Sequence, residues 1–247
     1  MSWLAISPSE EPKHRVSGVT FVVLVTVMFA APMCVAQALQ KGISVELAPT
    51  GNAAPMPDAD NENSLIVTVT GNGSEYFGID PITPAALAEK ITGRLSNQEQ
   101  KLYIKADART PYADVSKVLD AARTAGVEAP ILLTSQPESP EPGTVVPPKG
   151  LEVLVSPPPS GSVATVVQVL SSGLAGSTLK INNEQVPWST LQSTLSKLLQ
   201  DRSEKVVLVQ ADGPLPFAQV VHVIDTCRST GADVVLVTPL WTIERHQ

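Results

Sequence analysis

Lys105 to Gly126 reads KADARTPYADVSKVLDAARTAG, and Gln210 to Gly231 reads QADGPLPFAQVVHVIDTCRSTG. The two stretches align without a gap. Ala106 falls on Ala211, Asp107 on Asp212, Pro111 on Pro216, Tyr112 on Phe217, Asp120 on Asp225 and Gly126 on Gly231. Self-similarity at a fixed offset marks one fold used twice. In each copy a β-rich run comes first, Leu102-Tyr103-Ile104 or Val206-Val207-Leu208-Val209, and a proline turn follows. Next comes an apolar stripe at helical spacing: Tyr112, Val115, Val118, Leu119 and Ala122, or Phe217, Val220, Val223, Ile224 and Cys227. Such a stripe is the buried face of an amphipathic helix. Gly126 and Gly231 suit its left-handed cap. Apolar runs then resume at Ile131 and Val234. Strand, helix and strand in this order predict a right-handed crossover between parallel strands.

The repeat extends further upstream. Lys41-Gly42-Ile43-Ser44-Val45-Glu46-Leu47 has a counterpart in Lys149-Gly150-Leu151-Glu152-Val153-Leu154-Val155. Both read as opening strands. Ser64–Thr70 predicts a strand, Gly71-Asn72-Gly73 a hairpin turn, and Glu75–Ile79 the returning strand. Thr83 and Pro84 predict a helix start, with Leu87, Ile91 and Leu95 facing inward. The second copy repeats the order: strands at 163–170 and 178–181, then a helix from Ser189 with Leu191, Leu195, Leu198 and Leu199 inward. Each copy reads β-β-β-α-β-α-β. The expected fold class is α/β of the α+β kind: an N-terminal transmembrane helix, then two tandem small mixed-sheet domains with helices on one face.

The boundaries follow from composition. Residues 1–15 are a polar tail ending in Lys13-His14-Arg15, and residues 16–39 carry no charge. A helix of that length, rising about 1.5 Å per residue, could cross a hydrocarbon core of roughly 30 Å. The basic residues in front would keep the N-terminus in the cytoplasm. The same stretch also reads as a signal peptide cleaved after Ala36-Gln37-Ala38. Both readings export the rest of the chain. Domain 1 then spans 41–135 and domain 2 spans 149–241. Between them, 136–148 is a stiff spacer rich in proline.

A net charge of −7 with no long basic run argues against nucleic acid, whose phosphates need a basic footprint. The two cysteines, Cys34 and Cys227, are no disulfide framework, and Cys227 lies on a predicted core face. His14, His222 and His246 have no partner at ligand spacing, so no metal site and no cofactor are expected. No nucleophile has a recognisable base, and no catalytic residue can be named. Asp120 and Arg123, like Asp225 and Arg228, have the spacing to pair across a helix's outer face. Trp188 and Trp241 read as packing or edge contacts. The best candidate recognition residues are those of the repeated loops: Asp107, Pro111 and Tyr112, and Asp212, Pro216 and Phe217. They lie at strand ends, where α/β sites form. The alternative for both aspartates is a turn carboxylate bonding nearby amides.

Three motifs together resemble the ExbD/TolR-type membrane proteins. They are the apolar stretch ending Phe29-Ala30-Ala31-Pro32 before Gly42–Leu47, the strand and hairpin Leu65–Ile79, and the Ala-Asp, Pro-Tyr/Phe, Val, Asp, Gly pattern of both repeats. The resemblance implies a non-enzymatic inner-membrane subunit: a short cytoplasmic tail, one membrane helix and a small periplasmic domain. It implies an ExbB/TolQ-like partner, a TonB-like protein and a proton-driven complex for biopolymer transport. It also implies an aspartate near the cytoplasmic end of the helix as proton carrier. Gly18 occupies that position here, and no acidic residue lies between Glu11 and Glu46. This departure points to a scaffold member, or to one acting beside an aspartate-bearing ExbD paralogue. Domains of this family pair, so a homodimer or an intramolecular pseudo-dimer is expected, with the strands at Gly42 and Gly150 offering exposed edges. The rival is a cleaved periplasmic module binding peptidoglycan or a small ligand.

Overall fold

The computed structural model describes residues 42–95, 100–135, 147–158, 163–173 and 176–239. The tail, the charge-free stretch with Gly18, most of the spacer, and Trp241 lie outside them. No helix among the described residues is long and apolar enough to cross a membrane.

The first copy contains β1 (Ala54–Pro55), a 3-10 turn (Pro57–Asp60), β2 (Leu65–Val69), β3 (Glu75–Phe77), β4 (Asp80–Ile82), α1 (Pro84–Thr92), β5 (Leu102–Ala106), α2 (Tyr112–Thr124) and β6 (Ile131–Thr134). The second contains β7 (Lys149–Glu152), β8 (Thr165–Ser171), β9 (Ser177–Ile181), β10 (Glu184–Val186), α3 (Leu191–Leu199), β11 (Val206–Ala211), α4 (Phe217–Ser229) and β12 (Asp233–Leu236). Two mixed sheets result, ordered β1-β7-β6-β5-β2-β3-β4 and β10-β9-β8-β11-β12. Their registers repeat: β2 runs parallel to β5 with Val69 beside Ala106, and β8 parallel to β11 with Val169 beside Ala211.

Departures from the sequence reading have local causes. The returning strand stops at Phe77. Gly78 and Ile79 then turn the chain into β4, which pairs back on β3. The segment after Gly42 forms single bridges, Leu47 with Asp107 and Pro49 with Ser135, rather than a strand. Leu198 is 39% exposed: its neighbours Leu195 and Leu199 already fill the inward face of the short helix α3. Cys227 is fully buried, and desolvation pushes its thiol up to about 12. Gly126 and Gly231 close α2 and α4 at φ of +84° and +75°.

The helices pack on one face of each sheet. Leu65, Val67, Val69, Leu102 and Ile104 share a core with Leu87, Ile91, Val115, Val118 and Leu119. That core continues without a break into Val167, Val169, Val207, Val209, Phe217 and Val220 of the second copy. The opposite face differs between copies. In the first, Ile66, Tyr103, Ile131 and Leu133 are covered by Met56, Ala59 and Leu47, so β2 and β5 are buried on both sides. In the second, β8 alternates buried and half-buried residues, as a strand with one solvated face does.

β7 joins the copies. It opens the second repeat in sequence yet pairs antiparallel with β6 of the first, Leu132 opposite Leu151. Just beyond it, the Val153 and Val155 amides donate to Pro130 and Glu128 of the first copy. Leu154 between them bonds Val234 and Leu236 of β12.

Candidate functional site

Four of the six loop residues singled out from sequence, Pro111, Tyr112, Pro216 and Phe217, meet at one place, while Asp107 and Asp212 make their bonds within their own copies. Pro111 and Pro216 form an antiparallel bridge. Tyr112 N–H donates to the Leu215 carbonyl (2.8 Å) and Ala113 N–H to that of Gly213 (2.9 Å). Reciprocally, Phe217 N–H donates to the Thr110 carbonyl (2.8 Å) and Ala218 N–H to that of Ala108 (2.9 Å). Each bond has its counterpart in the other repeat, so the joint has local two-fold character.

Helix chemistry explains this geometry. The first N–H groups of a helix have no acceptor within it. A proline precedes α2 and another precedes α4, and neither helix has a side-chain cap. Each helix borrows loop carbonyls from the other copy for its first two amides. The third amide, Asp114 or Gln219, bonds its own copy's proline carbonyl. The proline fixes the approach, since its φ is locked and it has no N–H to satisfy. Side chains seal the joint: Tyr112 and Phe217 are buried at 2% and 1% exposure, and Leu215 is also buried. The segments at Gly42 and Gly150 do not pair with each other; the loops provide the pairing.

The aspartates are turn carboxylates with differing loads. Asp107 accepts from the backbone N–H groups of Arg109 (3.0 Å) and Glu46 (3.3 Å), and from Arg109 Nε and Nη2. The Arg109 guanidinium, aided by both amides, holds its carboxyl down at about 2. Asp212 accepts from Ser171 N–H at 2.8 Å. Asp225 departs from the expected pairing with Arg228. It is 8% exposed and accepts from Gly51 N–H (3.0 Å) and Asn52 N–H (2.8 Å), which ties the first copy's loop to α4. Arg228 instead faces Asp233. The sequence marked Asp225 only as a repeated helix residue spaced to pair with Arg228; its tie to the first copy was not legible, because its partners are backbone groups about 174 residues away.

Tyr112 and Phe217 differ in one atom that matters. Among the described residues the Tyr112 hydroxyl has no hydrogen-bond partner, and it is buried. A buried unsatisfied hydroxyl costs about 1–3 kcal/mol. Tyr112→Phe is therefore expected to stabilise the protein by roughly 1 kcal/mol, read as a higher denaturant midpoint. A loss of stability would show that the hydroxyl is bonded after all.

Elsewhere, two open clefts flank the β3–β4 hairpin, and Phe77, Asp80 and Arg94 line both. Trp188 donates from Nε1 to the Ser177 carbonyl and stacks on His222 with ring centroids 6.0 Å apart. Among the described residues no group of three His, Cys, Asp or Glu is placed to hold a metal.

Comparison with known proteins adds two findings. The family described as "Biopolymer transport protein ExbD/TolR" matches the chain in two segments, residues 17–137 and 133–239. The protein named "Biopolymer transport protein ExbD" from Neisseria gonorrhoeae is 27% identical over 126 residues, covering 49% of this chain and 87% of that protein.

Proposed function

The chain belongs to the ExbD/TolR family, and from that premise we propose that it is a membrane-anchored envelope subunit of an ExbB/ExbD-type, energy-transducing biopolymer-transport complex. The family is non-enzymatic. The observation that carries the reading is where the two matches begin. The first begins at residue 17, inside the charge-free stretch, and the second covers a folded copy with no such stretch before it. One anchor followed by two domains, 41–135 and 149–241, is the organisation this supports. The anchor is a single pass with the N-terminus in the cytoplasm and the domains in the periplasm. An ExbB/TolQ-like protein is the membrane partner, with a TonB-like protein beyond it.

Gly18 sets the chain's place in such a complex. A carboxylate inside a membrane costs about 2.5–3.5 kcal/mol on insertion scales and is kept for function. With none between Glu11 and Glu46, the chain acts as a scaffold, and an aspartate-bearing ExbD paralogue would carry the proton. The reciprocal joint supports an intramolecular pseudo-dimer, one chain presenting both halves of a pair.

The test is the intact mass of the mature protein in separated membrane and soluble fractions. Full-length protein confined to membranes is the expected result, and an ExbB/TolQ-like protein should co-purify with it. A soluble species beginning at Leu39 would overturn the anchor. It would leave the second reading, a periplasmic module for peptidoglycan or a small ligand, which the Ala36-Gln37-Ala38 pattern favours.

A further inference from the structure

Glu75 is a carboxylate in a place built for a hydrocarbon. It lies in β3 at 6% exposure, between Val69 on β2 and Ile82 on β4. The repeat supplies an internal comparison. Val69 corresponds to Val169, and the residue opposite Val169 is Leu179, buried and apolar. Glu75 thus stands where the other copy has leucine. Its buried Oε2 has no hydrogen-bond partner among the described residues. A buried polar group without a partner carries a desolvation cost, and a charge carries more.

The charged groups acting on Glu75 are both on α2. Lys117 favours its ionised form and Asp114 opposes it. Lys117 is already engaged, with Nζ 2.8 Å from Asp114 Oδ1. The second copy has Gln219 and His222 at those helix positions. The arrangement of an unpartnered acid beside an ion pair thus belongs to the first copy alone. Asp114 follows Ala113, whose amide makes the bond to Gly213 across the joint.

We propose that Glu75 is a proton-binding site whose protonated form suits the fold, and that loss of its proton loosens the first turn of α2 and with it the joint between the copies. As a neutral acid Glu75 fills its site much as Leu179 fills the equivalent one. As an anion it must leave the apolar site or draw Lys117 away from Asp114. Burial raises the Glu75 carboxyl above its ordinary value of 4.5, Lys117 pulling the other way and Asp114 adding to the rise. The folded protein then binds the proton more tightly than the unfolded chain. Stability from this group is complete below 4.5 and is lost as pH rises through the raised folded midpoint.

The experiment is a carboxyl-carbon NMR titration of the full-length chain in detergent micelles, with labelled glutamate and Glu75→Gln to assign the signal. The same samples give hydrogen-exchange protection factors for the Tyr112 and Ala113 amides. A Glu75 midpoint above 4.5 is expected. Protection of the two amides should fall across that midpoint, by roughly tenfold for each unit of its rise. In Glu75→Leu, protection should stay level. A midpoint at or below 4.5 would overturn the proton site. A raised midpoint with protection unchanged across it would overturn the link to the joint. If Glu75→Leu does not fold, the wild-type titration and protection profile still decide both points.

Discussion

Phe217→Ala is expected to lower the unfolding free energy of the full-length chain by about 3–5 kcal/mol. Phe217 is 1% exposed, within the core shared by both copies. Truncation removes its transfer free energy and leaves a cavity that packed neighbours close only in part. The site has little freedom to collapse, because the Phe217 amide is bonded to Thr110 and the next amide to Ala108. The damage should concentrate at the joint. Phe217→Tyr, which reproduces the side chain of the equivalent Tyr112, should cost much less. Denaturant unfolding of the three proteins checks this. A loss under about 1 kcal/mol for the alanine variant would mean that the loops touch without packing.

Gly150→Val should cost about 3 kcal/mol, at the upper end for overpacking. A Cβ on Gly150 would lie 2.6 Å from Ile131 Cγ2, 3.1 Å from the Leu132 carbonyl oxygen and 3.3 Å from Met56 Cγ. The second of these is backbone, which no rotamer change can move. β7 must then separate from β6, and its bonds run from Lys149 to Glu152. β1 rests on β7 through Ala54 and Pro55 and would separate with it. Exposed Glu152 on the same strand is the control, since Glu152→Ala should change stability by no more than about 0.5 kcal/mol. Equal, small losses in both variants would show that β7 is not docked on the first sheet.

Glu75 and Asp107 show how fold position decides the chemistry of one functional group, the carboxyl. Both are buried carboxyls. Asp107 receives two backbone amides and a guanidinium, and its proton affinity falls. Glu75 receives no hydrogen bond from the described residues, and its proton affinity rises.

The sequence by itself determined the repeat, the order of its main elements and, Leu198 apart, the buried face of each helix. These are local properties. Period-3.6 stripes, the Gly71-Asn72-Gly73 turn and the glycine caps each act within a few residues. The family was legible for the same reason: its motifs lie in one order along the chain. Tertiary structure decided what those pieces meet. Nothing in KGLEV announces that the strand opening the second repeat pairs with the sheet of the first; the fold sets it there, and Gly150 leaves room where a Cβ would strike Ile131. Nothing in Asp225 announces the amides of Gly51 and Asn52. The loops at Pro111 and Pro216 read as candidate recognition loops at strand ends; what the sequence did not announce is that each bonds the other, because helix amides left without acceptors take the nearest carbonyls. Those carbonyls are brought near by the fold, and no local pattern encodes a neighbour about a hundred residues away.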